Sequence, residues 1–72
     1  MTDTSKLKRR ITDSGLKVTY VAKWINLTPA GLYKKLAGGS EFNAREMTQL
    51  SDLLRLTDEE KVSIFFAHDV DK

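Results

Sequence analysis

Apolar residues recur at helical spacing along most of this chain. Leu7 and Ile11 are four apart and share one helix face, while Lys6, Arg9 and Arg10 lie on others. Thr4 or Ser5 suits the start of this helix and Gly15 its left-handed end, with Leu16 folding back on the last turn. A first helix is predicted over about residues 5–14. Val18, Val21, Ala22 and Ile25 repeat at i, i+3, i+4 and i+7 and predict a second over about 18–25. Asn26 tolerates the left-handed backbone that a sharp exit needs. Thr28-Pro29 then pairs a good cap with a residue at home in the first helical position. It opens a third helix, about 29–37, with Leu32 and Leu36 inward and Gly38-Gly39 as its stop.

Two capping boxes start the remaining helices. Asn43 with Glu46 opens one over about 44–54, with Phe42 and Met47 placed as a hydrophobic staple and Leu50, Leu53 and Leu54 inward. Thr57 with Glu60 opens the other, about 58–66, where acidic residues suit the positive end of the helix dipole. Val62, Phe65 and Phe66 stand at i, i+3 and i+4 on this last helix. Phe65 and Phe66 are adjacent, so both cannot be core; Phe65 is the core candidate and Phe66 a candidate self-association contact. The tail, 67–72, has little to bury, and His68 reads as a surface residue. The expected fold is therefore all-α, five helices in one domain spanning 1–72.

Length limits what such a domain can do. Seventy-two residues bury a thin core, which leaves little chain for an enzyme pocket. No nucleophile-base arrangement, phosphate-binding glycine loop or carboxylate pair appears, so no enzyme, cofactor or small-molecule substrate is expected. With no cysteine and one histidine, neither a disulfide framework nor a metal site is expected. The absence of cysteine fits a reducing compartment. No apolar run approaches the ~20 residues of a membrane span, and the N-terminus has basic residues without the apolar stretch of a secretory signal.

Charge divides the chain. Residues 1–40 hold eight basic side chains against two acidic ones, a net +6, and residues 41–72 hold four against eight, a net −4. A basic half suits an anionic partner such as nucleic acid; the plainer reading is a solvated helical surface.

Helices 2 and 3, joined by a three-residue turn, form a helix-turn-helix candidate. Val21-Ala22, Ile25-Asn26-Leu27-Thr28 and Leu32-Tyr33 together resemble the Cro/CI-type helix-turn-helix of phage and bacterial repressors. Ser5-Lys6-Leu7-Lys8, Lys35-Leu36-x-Gly38, Phe42, Leu56-Thr57-x-Glu59-Glu60 and Ile64-Phe65-Phe66 extend the likeness to small phage regulators. Among these the chain is most similar to modulator-of-repression proteins, which sit beside a CI-type repressor in the lysis/lysogeny switch of temperate phages. The resemblance implies a lambda repressor-like fold in the cytoplasm of a bacterial host.

In that family the third helix enters the major groove of double-stranded DNA. The matching positions here are Thr28, Pro29, Ala30, Gly31, Tyr33 and Lys34. The chain departs from the family at Pro29, Ala30 and Gly31, none of which can read a base by hydrogen bonds. It departs again at Lys17 and Val18, where a capping hydroxyl and a phosphate-touching glutamine are common. Phosphate contacts are left to Lys17, Thr28, Tyr33, Lys34 and Lys35, and such contacts position a protein without specifying sequence. Thr28-Pro29 is equally an ordinary cap, and Gly31 equally tolerated drift or a place of close backbone approach.

Tyr20 and Trp24 flank the buried stripe of helix 2 and are candidate anchors for a protein partner, with partial burial against a neighbouring helix the alternative. Ala30, Tyr33 and Lys34 join them as candidate partner contacts. Two functions therefore compete: a modulator that binds a CI-type repressor as a heteromer, and an autonomous Cro-type operator binder using helix 3.

Overall fold

The computed structural model describes residues 1–66 and is all-α. Five helices follow in order: α1 Thr4–Ser14, α2 Val18–Trp24, α3 Pro29–Leu36, α4 Ala44–Leu54 and α5 Asp58–Phe65. The expected tail and His68 lie outside the described residues. Among those residues no helix is long and apolar enough to cross a membrane.

The helix ends follow from local chemistry. The Asp3 carboxylate, rather than Thr4 or Ser5, caps α1 by accepting from the Lys6 backbone N–H at 3.1 Å. Asp3 is fixed there because its own N–H donates to the Ile64 carbonyl at 2.6 Å, joining the start of α1 to α5. Thr28, Asn43 and Thr57 cap α3, α4 and α5, and both capping boxes close reciprocally.

Three helices end in the same reversal, in which the residue past a left-handed position bonds back to the carbonyl five residues earlier. At α2, Asn26 takes φ 62° and the Leu27 N–H reaches the Ala22 carbonyl at 2.8 Å. At α3, Gly38 takes φ 85° and the Gly39 N–H reaches Lys34 at 2.9 Å. At α4, Arg55 takes φ 53° and the Leu56 N–H reaches Ser51 at 2.9 Å.

The core is one cluster drawn from every helix. Leu7, Ile11, Val21, Ala22, Ile25, Leu32, Leu36, Leu50, Leu54, Ile64 and Phe65 are buried, as are Phe42 and Leu56 from the loops. Ala22, wholly buried, is small where α2 packs on α3 and α4. Phe42 meets Phe65 edge to face with ring centres 6.3 Å apart, a geometry that aromatic quadrupoles favour.

On α5 Phe65 is buried and Phe66 exposed, as their adjacency requires, but the partner of Phe65 in the core is Ile64 and Val62 is exposed. The positions one turn before Ile64 and Phe65 are Glu60 and Lys61, so the inward face begins with charges and hides its apolar period. Glu60 is accommodated by pairing with Arg10 at 3.1 Å. Arg10 also donates to the Leu54 carbonyl at 3.0 Å, a favourable place for a cation at the end of α4.

Candidate interaction surfaces

The outward side of α3 is made by Pro29, Ala30, Tyr33, Lys34 and Ala37, all exposed. Its spacing places the inward residues Leu32 and Leu36 opposite. Three of the five outward side chains carry no hydrogen-bonding group. Tyr33 is 56% exposed and offers a phenol, and Lys34 offers an ammonium. The Thr28 hydroxyl accepts from the Gly31 N–H at 3.0 Å as the helix cap and keeps its own proton to donate.

Tolerated drift and a close backbone approach are the two readings of Gly31, and the geometry adds a third, a part in the cap. A Cβ at Gly31 would stand 3.1 Å from the Thr28 hydroxyl oxygen. The glycine thus leaves room for the capping bond, independently of any ligand.

Lys35 does not share the outward face with Lys34. Its ammonium lies 2.8 Å from Glu46 Oε1 and 3.0 Å from the Glu41 carbonyl, and 5.6 Å from the centre of the Phe42 ring. Glu46 is buried, and the same Oε1 accepts from the Asn43 N–H at 3.0 Å. Lys35 therefore bolts the end of α3 to the start of α4, so its charge is engaged within the fold. The chain turns through Gly38 and Gly39 between these partners, eleven residues apart, so local spacing gave no signal of the pair.

The outward side of α2 is Thr19, Tyr20, Lys23 and Trp24. Tyr20 is 48% exposed and Trp24 50%, and their rings lie 6.3 Å apart with a 34° tilt. The two rings form one half-exposed ridge rather than filling the core. Lys17 precedes α2 with its side chain exposed and makes no capping bond.

Two surface features were not anticipated from spacing. A groove of about 280 Å³ runs between α1 and α3, with Ile11, Val18, Leu36 and Ala37 in its walls and Lys8, Thr12 and Tyr33 beside them. The exposed i, i+4 pair Lys8 and Thr12 is its one sequence trace, and that pattern is common on any solvated helix. The second is Val62 on α5, 40% exposed, near Phe66, the expected surface contact, at 44%. Phe66 also borders a hollow between α4 and α5 with Ala44, Met47 and Phe65.

Of the cations expected to make the first half basic, several are engaged. Arg10 is held by Glu60, Lys6 donates to the Ser63 hydroxyl, and Lys35 is held by Glu46. The Glu60 carboxyl is held below its ordinary value of 4.5, first by the Thr57 backbone N–H and then by the Arg10 side chain. Among the described residues no group of three or more His, Asp or Glu side chains is placed to hold a metal ion. No protein-family model matches the chain, and comparison with curated proteins and with solved structures returns no match.

Proposed function

We propose that this chain is a small helix-turn-helix regulator of lambda repressor-like architecture that works in a phage genetic switch. In this reading it binds a CI-type repressor in the bacterial cytoplasm and modulates the repressor's DNA binding, with or without DNA contact of its own, and is not an enzyme. One observation carries it. The outward face of α3 holds Pro29, Ala30 and Ala37 where a base-reading helix needs donors and acceptors, while α2 presents Tyr20 and Trp24 half-exposed. The resemblance described above supplies the kind of partner.

A Cro-type operator binder is the second reading. Exposed Lys17 and Lys34, with the Thr28 hydroxyl and Tyr33, favour it, since all four can contact phosphate.

The test uses Trp24, the one tryptophan of the chain. Mixing with the CI-type repressor should shift its emission to the blue. Trp24→Ala should weaken the complex at least about thirtyfold, the effect of losing an anchor of ~2 kcal/mol, with helical circular dichroism intact. Phe66→Ala, at an exposed aromatic just past α5, should change affinity little. An unmoved emission with tight binding to one short operator would promote the second reading.

A further inference from the structure

Residues 14–40, which contain all of α2 and α3, include no aspartate or glutamate. Among the described residues their only ion pair is Lys35 with Glu46, from outside the stretch. The ridge of Tyr20 and Trp24 therefore stands on a helix whose only charged side chain is Lys23, with Lys17 just before its first turn. Among the described residues neither lysine is in an ion pair, and apolar rings with two cations on the same segment make a surface of defined complement.

We propose that the α2 ridge docks a protein surface of acidic character: an apolar depression that takes Trp24 and Tyr20, bordered by carboxylates that meet Lys17 and Lys23. This names the partner's chemistry at the site of the proposed function and rests on that reading. A basic partner face is disfavoured by like charge. Nucleic acid is the weaker fit. Duplex binders neutralise ~6–10 phosphates, whereas this ridge offers two lysines. The rings of Tyr20 and Trp24 lean on each other at 34° instead of standing open for base stacking. Half-exposed aromatics with charges at their edge are the usual make-up of a protein contact, apolar at the centre and polar at the rim.

The first experiment is the repressor complex with Lys17→Glu/Lys23→Glu. Both side chains are exposed, so the variant should fold as the parent does. Association should slow, affinity should fall roughly tenfold or more at low salt, and the dependence of the on-rate on salt should flatten or reverse. Lys8→Glu on α1 is the control and should leave affinity nearly unchanged. A complex that forms normally and is unaffected or strengthened by the double reversal overturns the inference and leaves the regulator reading standing.

If the repressor does not bind at all, the regulator reading falls and a second measurement decides the inference. Trp24 emission is then followed against three probes: an amphipathic helical peptide of leucine and glutamate, its leucine and lysine counterpart, and mixed-sequence duplex DNA. A blue shift with the glutamate peptide alone, lost in the double reversal, supports the acidic partner. A response to the lysine peptide, a stronger one to DNA, or none to the glutamate peptide overturns it.

Discussion

Replacing Lys35 by methionine removes a positive charge and keeps most of the side chain's length. In the native fold that charge faces the buried Glu46 carboxylate at 2.8 Å, with the lysine side chain 16% exposed and the glutamate 8%. After the change Glu46 keeps its bonds within the capping box, but its charge has lost its partner. Losing one member of a fully buried pair costs about 3–5 kcal/mol, and loss of a hydrogen bond to a charged group about 1.5–3 kcal/mol. Some water reaches the lysine, so the lower range applies, and about 2–3 kcal/mol is expected. For a domain of this size that lowers the melting temperature by about 10–20 °C.

Thermal melts followed by circular dichroism would compare Lys35→Met with Lys34→Met, one position along on the exposed face. The neighbour should change stability by no more than about 0.5 kcal/mol. Lys35→Met/Glu46→Gln should lose less than the sum of the single changes, because the two residues share one interaction. If Lys35→Met melts with Lys34→Met, or if the double variant is strictly additive, the clamp between α3 and α4 is not a stabilising element. The same experiment guards any DNA measurement, since loss of binding in a Lys35 variant has to be separated from loss of folded protein.

Further outcomes follow from other positions. Arg55 holds φ 53° with an exposed side chain, so Arg55→Gly should raise stability by about 0.5–1 kcal/mol; a lower melting temperature would refute this. The folded Glu60 carboxyl titrates below its ordinary value of 4.5. Its contribution is thus fully present above that pH and is lost as pH falls through the lower folded value. Glu60→Gln should therefore flatten the acid limb of stability against pH, and an unchanged limb would contradict the assignment. Where duplex DNA binds at all, Lys34→Ala should weaken it equally on all sequences and reduce the salt slope by about one; relaxed preference at a single base pair would make Lys34 a base reader.

What the sequence disclosed was set by range. Thr28, Asn43, Thr57, Gly15, Asn26 and Gly38 act on backbone groups within a few residues, so their signals survive in a linear reading. The stripe of Val21, Ala22 and Ile25 likewise left Tyr20 and Trp24 outside before any contact was known. Arg55 gave no such sign, because arginine has no preference for the left-handed region and enters it when Leu56 folds back onto Ser51. The Lys35–Glu46 pair and the bond from Asp3 to Ile64 depend on helix packing, which spacing does not encode. On α5 the charged Glu60 and Lys61 masked the inward face, and Val62 offered a plausible but false period. For the candidate surfaces, exposure was legible; which lysines remained free on them was not.

The outward face of α3 has an evolutionary consequence. Ala30, Lys34 and Ala37 are exposed and lie outside the core cluster, and the bonds holding α3 in place run through Thr28, Lys35 and the backbone of Gly38 and Gly39. Substitutions at those three positions should shift stability by no more than about 0.5 kcal/mol each. Recognition on this helix can therefore drift almost neutrally with respect to folding. A few surface changes there could alter what the face binds, and a selected library at 30, 34 and 37 could test whether the scaffold accepts new base-reading side chains without loss of stability.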